Sequence, residues 1–265
     1  MELGGNDRDE ERKELLKFIE GFGAAEIRQL VNIARVMSRP IEEMRSPDSD
    51  LVGDGFAAEF RARLLAHHGT HTTGMDRLAF EAALTAAAAQ EGHTSTAAPS
   101  RTTRFWDVKI DDAQISAKTS AARNMRRDVI EISKLSEAAW IQDMRSARDR
   151  HARTLELFRD FVAAVQRWFI LRIFETAENF TYELVEIPMS FFDAPVQALS
   201  VQEFDSDGPR ITVRDPNGRD LFVLALDRSD SKITLKRINK GNCLVHATWV
   251  VPKAPIVDDE GRPEA

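Results

Sequence analysis

The chain has 265 residues, 43% of them hydrophobic, and a formal net charge of −7, which suits one large folded domain and argues against global disorder. A single cysteine, Cys243, excludes an internal disulfide framework, as is typical of a reducing compartment. The charged first residues lack the apolar core of a signal peptide and no apolar run approaches the roughly 18 residues of a membrane span, so we expect a cytoplasmic protein.

Helical periodicity dominates the first third of the chain. Apolar residues recur at three- and four-residue spacing, and an alanine-rich stretch has high helix propensity up to Gly92, a residue type that commonly ends helices. These patterns predict helices at 11–20, 24–37, 56–67 and 75–90. We expect a helical N-terminal region, 1–92, packed on the rest of the protein, followed by a polar loop over 92–103.

The middle of the chain changes to the alternating pattern of strands. Two adjoining strands, 105–110 and 113–118, are predicted with a tight Asp111-Asp112 turn between them. Partial helix is expected from residue 121 onward. A long helix at 143–165 and strands at 167–174 and 181–187 complete a predicted core over residues 93–190.

The last third has the turn-separated apolar runs of a β-rich region. Strands are predicted at 210–213, 221–226, 232–238 and 243–250. They define a C-terminal subregion, 191–251, before a flexible tail, 252–265, within one integrated domain. The order of elements predicts an α/β (α+β) fold in which helices flank a mixed β-sheet.

Positive charge is concentrated next to the predicted hairpin. Residues 101–153 contain 12 Lys and Arg against 8 Asp and Glu, a net +4, while the rest of the chain carries −11. A locally basic surface on an acidic protein can bind a phosphate backbone. A solvated helix face with mixed charges is the simpler interpretation of this segment taken alone.

The hairpin itself has the layout of a metal-dependent phosphodiesterase. Asp107 on the first strand can hold Mg²⁺ against a scissile phosphate, and Lys118 on the second can position water and offset negative charge. The carbonyl of Ala117 can supply a further oxygen ligand. Ser116 lies on the same strand face as Lys118, at a position where many such nucleases carry an acid. A polar rim on an ordinary hairpin is the alternative.

A second carboxylate must therefore come from elsewhere, and Glu81 is our candidate. It is the one acidic residue between Arg77 and Gln90, in the helix that precedes the hairpin. Its other explanation is that it keeps an alanine-rich helix soluble.

Two further clusters carry less chemistry. His67, His68 and His71 have helical metal-binding spacing, but Gly69 and Thr70 interrupt it and no cysteine accompanies them, which favours a helix end over a zinc site. Cys243 and His246 lie in an apolar strand, where packing and a satisfied histidine explain them better than a nucleophile pair.

In the order of these residues the chain resembles the SmaI-type restriction endonucleases, a branch of the PD-(D/E)xK nucleases. The similarity is most specific in Leu-Val-Glu-Ile-Pro at 184–188 and in Cys-x-Val-His at 243–246. Other shared segments are 67–68, 80–83, 100–102, 107–111, 118–124, 132–134 and 182–183, with the tryptophan at 249. Trp106 replaces the proline, and Ser116 the acid, of the common superfamily pattern, while Glu81 matches an acid of the family.

The resemblance implies a restriction-endonuclease-like fold and a Mg²⁺-dependent, homodimeric type II enzyme that hydrolyses double-stranded DNA at a short palindrome. The family's name-giving member recognises CCCGGG and leaves blunt ends, and a cognate DNA methyltransferase is expected in the same system. DNA contacts are predicted from exposed basic and amide groups: Arg123, Asn124, Arg126, Arg127, Lys134, Lys236 and Arg237. The alternatives are a catalytically degenerate DNA-binding module and a structure-specific nuclease.

Overall fold

A computed structural model of the chain describes residues 5–100 and 102–253. The α-helices in these residues are α1 (Gly5–Glu20), α2 (Ala24–Met37), α3 (Asp54–His68), α4 (Arg77–Glu91), α5 (Trp140–Asp143), α6 (Ala147–Ala164) and α7 (Ala194–Gln197). Short 3-10 helices span Met189–Phe191, Val201–Phe204 and Lys240–Asn242. The four helices predicted in the first third are confirmed as α1 to α4, and the predicted long helix is α6.

Local capping explains where the two helices nearest the hairpin begin and end. The Asp76 side chain accepts the Ala79 amide at 2.8 Å at the start of α4, and Gly92 ends that helix with a φ of 108°. Positive φ is easily adopted by glycine. Ser146 caps α6 in the same way through the Asp149 amide at 3.0 Å, so the helix begins a few residues later than predicted.

The β-strands form two sheets. They are β1 (Glu42–Arg45), β2 (Ser95–Ala97), β3 (Val108–Ile110), β4 (Ala113–Ser120), β5 (Val129–Glu137), β6 (Arg167–Glu175), β7 (Asn179–Ile187), β8 (Arg210–Arg214), β9 (Asp220–Asp227), β10 (Lys232–Asn239) and β11 (Leu244–Pro252). Strands of the larger sheet run in the order β1-β11-β7-β6-β4-β3-β2, and those of the smaller sheet in the order β5-β10-β9-β8.

The larger sheet is mixed, as predicted. Strands β4 and β6 pair in parallel, while its other pairs are antiparallel. A parallel pair needs a crossover connection, and the chain between β4 and β6 contains β5 and α6. The predicted α/β (α+β) class, with helices against a mixed sheet, is confirmed.

Alternate side chains of β6 belong to the two halves of the core. Phe169 and Leu171 pack in one apolar cluster with residues of α3 and α4. Trp168 and Ile170 pack in the other, which also contains Phe158 of α6 and the inner face of the smaller sheet. The central strands are therefore buried on both faces. The β3–β4 hairpin is held beside them because β4 pairs with β6.

Two predictions around the hairpin need correction. The strand predicted at 105–110 begins at Val108, because Phe105 has a φ of 76° and its ring packs edge-on against Phe161 of α6. Asp107 thus lies immediately before β3 and not within it. The loop predicted at 92–103 contains β2, which pairs with β3 and extends the sheet.

The helix expected after residue 121 is the clearest error. Residues 129–137 form β5, and within 121–142 the helical part is α5. An irregular register explains the misleading pattern. Ile132 and Ser136 of β5 oppose Leu235 and Ile233 of β10, so the strand advances four residues against two. This shift leaves Ile132 and Leu135 buried at a spacing of three residues, which resembles a helix.

The predicted regions 1–92, 93–190 and 191–251 each contribute to the larger sheet, which takes β1 from the first and β11 from the last. Their division stays a prediction. Residues 254–265 of the predicted flexible tail lie outside the described residues. Within the described part of the chain, no helix combines the length and the apolar character that a membrane crossing requires.

Candidate active site

The end of the β3–β4 ladder brings Asp107 and Lys118 together. Val108 pairs with Ile115, and the amide of Asp107 donates to the Ile115 carbonyl at 2.8 Å. One step further along β4, the Ala117 amide donates to Oδ2 of Asp107 at 2.8 Å, so a side chain replaces the missing backbone partner. Nζ of Lys118 lies 3.3 Å from the same oxygen. The carboxylate and the ammonium group of the predicted site are in direct contact.

Helix α4 delivers Glu81 to this carboxylate. Phe80, Ala83 and Leu84 are buried against the sheet, which leaves the Glu81 side chain 17% exposed at the rim. Burial and the negative charge of Asp107 raise the pKa of Glu81. Among the described residues its buried Oε1 has no hydrogen-bond partner, although Nε of Arg77 lies 3.4 Å away as an ion-pair partner.

The neighbouring residues of β4 differ in what they offer. Within a strand the N–H and C=O of one residue point to the same side, so the Ala117 carbonyl faces the side on which its amide meets Asp107. Ser116 lies on the Lys118 face but is fully buried, and its Oγ has no partner among the described residues. Trp168, its neighbour in the β4–β6 pairing, has a buried indole N–H that also lacks a hydrogen-bond partner among the described residues.

These donors fit a hard divalent cation. Two carboxylates and one carbonyl are the oxygen ligands that Mg²⁺ takes in proteins. Oε1 of Glu81 is buried without a hydrogen-bond partner among the described residues, and burial together with the charge of Asp107 raises the pKa of this acid, so Glu81 could accept a cation as a further partner. A cation between Glu81 and Asp107 would relieve their repulsion.

Comparison with known proteins agrees with this geometry. The family model described as SmaI, type II site-specific deoxyribonuclease, matches residues 16–251. This chain belongs to that family. It is 28% identical over 256 residues to the type II restriction enzyme SmaI of Serratia marcescens, covering 93% of this chain and 94% of the relative. No solved structure shows significant similarity to this chain.

A cleft of about 390 Å³ opens in this nuclease directly beside Lys118. Its walls come from the end of β4 and from the outer surface of β5 and β10, and they carry the predicted DNA contacts Lys134 and Lys236 together with Lys232. Lys134 pairs with Glu137 at 2.5 Å. Arg237 follows on β10 with a φ of 58° at the register shift of that strand. The cleft thus extends from Lys118 past three further lysines, with the acids Glu131 and Asp227 also in its walls.

The other predicted DNA contacts lie on the loop between β4 and β5. Arg123 and Asn124 are exposed there. Arg126 holds Asp128 through Nη2 at 2.6 Å, and the guanidinium of Arg127 lies 4.4 Å from the ring centroid of Phe174. All four side chains leave the same short loop after Lys118.

A buried arginine that sequence reasoning missed fixes this loop. Arg172 of β6 is fully buried and donates to the carbonyls of Arg126 at 2.5 Å, Arg127 at 3.1 Å and Val129 at 3.0 Å. Its charge is balanced by Glu183 at 2.7 Å. A charged residue inside an apolar strand was the available sequence feature, but the three carbonyls that it binds are more than forty residues away in sequence.

The histidine cluster divides into separate contacts. His67 bonds to the Thr73 carbonyl at 2.9 Å and His71 to Thr70 Oγ1 at 2.8 Å, while His68 Nε2 meets the Tyr182 hydroxyl at 2.6 Å. Burial, followed by the charge of His67, lowers the pKa of His68 to about 4. These contacts support the helix-end interpretation over zinc.

The family-specific segments meet in a second polar cluster. His246 is fully buried and contacts Ser49 Oγ at 2.8 Å and Glu186 at 2.9 Å, so it is a satisfied histidine as expected. Ligand atoms of Asp50, Glu186 and His246 lie within 4.8 Å of one another. However, the Arg167 guanidinium bonds to Glu186 at 2.6 Å and to Asp50 at 2.7 Å. Because that guanidinium already supplies the positive charge, we interpret the cluster as structural.

Proposed function

We propose that this restriction endonuclease cuts both strands of DNA at a short G·C-rich palindrome, CCCGGG or a related site, with blunt ends and with Mg²⁺ as cofactor. The observation that carries the proposal is the contact of Asp107 with Lys118, which lines a cleft containing three further lysines, together with Glu81, which Arg77 links to Asp107. The similarity to the Serratia marcescens enzyme supports the target. A DNA substrate implies action in the cytoplasm, beside a cognate methyltransferase that protects the host's sites.

In this proposal Asp107 and Glu81 bind Mg²⁺, with the Ala117 carbonyl as a further ligand. Bound there, Mg²⁺ would withdraw negative charge from the scissile phosphate and stabilise the transition state. Lys118 orients the attacking water while its ammonium group stays close to Asp107. Attack in line with the 3′ oxygen leaves a 5′-phosphate and a 3′-hydroxyl. Ser116, predicted as a secondary polar contact, takes no direct part in this proposal, because its Oγ is fully buried and has no partner among the described residues.

DNA lies along the cleft in this proposal, with the phosphate backbone beside Lys134 and Lys236. Arg123, Asn124, Arg126 and Arg127 extend from the loop that Arg172 supports, and Arg237 from β10. Arginine can bind guanine O6 and N7 in the major groove, which suits a G·C-rich target. Since half to two-thirds of protein–DNA hydrogen bonds go to the backbone, most of these residues position the DNA without reading it.

A palindrome is recognised most simply by two copies of the protein related by a twofold axis, each cutting one strand. The first two helices and the turn between them expose apolar side chains that a second copy could cover: Leu15, Leu16, Phe18, Phe22, Val31 and Met37. Large exposed apolar patches are typical of interaction sites. We propose a homodimer on these grounds.

A degenerate binding module loses its main support because Glu81 supplies the acid that position 116 lacks. Digestion of a genomic DNA of known sequence, with and without Mg²⁺, followed by sequencing of the fragment ends tests the proposal. We expect Mg²⁺-dependent blunt ends in the middle of CCCGGG or a related palindrome. Cuts that follow branches or nicks and ignore sequence would instead identify a structure-specific nuclease.

A further inference from the structure

Arg77 lies between the two carboxylates of the site. Its Nη1 donates to Oδ1 of Asp107 at 3.2 Å, and its Nε is 3.4 Å from Oε1 of Glu81. With Lys118 on Oδ2, Asp107 has a cationic partner on each oxygen. The guanidinium therefore places positive charge between Oδ1 of Asp107 and Oε1 of Glu81.

The position of Arg77 on its helix makes this contact notable. Arg77 is the first residue of α4, directly after the N-cap Asp76. A positive charge at a helix N-terminus opposes the helix dipole, so the helix itself does not favour an arginine there. Asp107 and Glu81 supply the attraction. The side chain is 46% exposed, so it can leave them without unfolding any part of the core.

A divalent cation and this guanidinium need the same oxygens. Mg²⁺ binds carboxylate oxygens at about 2.0–2.1 Å. Arg77 contacts one oxygen of each carboxylate and thus occupies the approach that a shared cation would take. A cation held jointly by Asp107 and Glu81 would therefore compete with Arg77 for these carboxylates.

We propose that Arg77 competes with the divalent cation for Asp107 and Glu81 in the DNA-free enzyme and moves to a DNA phosphate when substrate binds. The proposal rests on the metal site assigned above. DNA that draws Arg77 away must strengthen cation binding, and the cation must strengthen DNA binding by the same factor, because such coupling is reciprocal. Arg77 thereby links occupation of the metal site to the presence of DNA.

Direct cation binding tests the first half. Mn²⁺ affinity is measured by electron paramagnetic resonance on the DNA-free full-length protein, for wild type, Arg77→Gln, Arg77→Lys and Arg63→Gln. Arg63 is the matched control, since it forms an exposed helical ion pair with Glu59 at 2.7 Å. We expect Arg77→Gln to bind Mn²⁺ about 10-fold more tightly than wild type, within the usual range for coupled sites. Arg77→Lys should be intermediate, and Arg63→Gln unchanged.

Addition of a duplex tests the second half. With a phosphorothioate duplex that resists cleavage, Mn²⁺ affinity should rise in wild type and rise much less in Arg77→Gln. Unchanged or weaker Mn²⁺ binding by DNA-free Arg77→Gln, or an equal gain in Arg63→Gln, overturns the inference. Asp107→Asn separates this failure from failure of the metal site: if that variant binds Mn²⁺ as wild type does, the site assignment itself is wrong.

Discussion

Nζ of Lys118 lies 3.3 Å from Oδ2 of Asp107, and the same oxygen accepts the amide of Ala117. The contact exists because the β3–β4 ladder stops at Val108, so the next residue can turn its side chain toward β4. The backbone amide of Asp107 still bonds to Ile115, but the Ala117 amide, beyond the last pair of the ladder, bonds to the Asp107 side chain. The end of a short strand thus creates the meeting point of the proposed site.

The proposed role of Glu81 gives the first prediction. Glu81→Gln keeps the shape of the side chain but removes one of two negative charges, so Mg²⁺-dependent cleavage should fall about 100-fold or more. The Mg²⁺ concentration for half-maximal cleavage should rise as well. Glu59→Gln, on the exposed face of α3, is the control. Wild-type cleavage by Glu81→Gln at low Mg²⁺ would exclude Glu81 as a ligand.

Pattern alone predicted the elements whose periodicity is regular. The apolar spacing of α1 to α4, the continuous apolar run of β6 and the alternation in β7 to β11 follow from burial of one or both faces, so they can be recognised in the sequence. Strand β1 could not be found this way. Its residues, Glu42–Arg45, contain one apolar side chain, and they form a strand because they pair with β11.

The site residues that the sequence suggested are either close together along the chain or, like Glu81, the one acid of their segment. Asp107 and Lys118 follow from hairpin spacing. The contacts of Arg77, Arg172 and Ser49 depend on how distant segments pack, and no local pattern encodes that distance. The contact between Ser49 and His246 joins residues that are 197 positions apart.

The Arg172 network should matter for stability as well as for the loop. Arg172→Met leaves Glu183 buried with Lys240 as its remaining cation and frees the 126–129 carbonyls. Breaking a buried pair costs about 3–5 kcal/mol, which should appear in the free energy of unfolding measured in urea. Arg214→Met, which removes an exposed pair with Asp220, should change it by less than about 1 kcal/mol. Equal effects of the two variants would contradict the structural role.

The lowered pKa of His68 predicts a specific pH dependence. The folded state holds this histidine neutral down to about pH 4, whereas the unfolded chain protonates it near 6.5. The contribution of neutral His68 to the free energy of unfolding is therefore fully present above pH 6.5. It is lost as the pH decreases toward 4, and the free energy of unfolding falls by about 2 kcal/mol after allowance for partial exposure. His68→Gln should lose this part of the pH dependence in urea unfolding. Tyr182→Phe, which keeps the buried histidine, should retain it; the reverse result would refute the assignment.

Base reading by Arg126 can be separated from phosphate binding. Competitive cleavage of duplexes that differ by one base pair should show that Arg126→Ala loses about 1–3 kcal/mol of discrimination at one position. In the absence of DNA the Arg126 guanidinium is paired with Asp128, so Asp128→Asn should release it and raise DNA affinity modestly. A uniform weakening of Arg126→Ala on every sequence would identify a backbone contact.

Cleavage by hairpin variants tests the central claim most directly. Asp107→Ala and Lys118→Ala are incubated with plasmid and Mg²⁺, and their DNA affinity is measured in EDTA, where coupling to the metal site plays no part. Lys109→Ala and Asp112→Ala serve as controls, because this pair lies on the same hairpin, is largely exposed and is 3.9 Å apart. We predict no cleavage but near wild-type DNA binding for the first two variants, and normal cleavage for the controls. Normal plasmid cutting by either Asp107→Ala or Lys118→Ala would contradict the account.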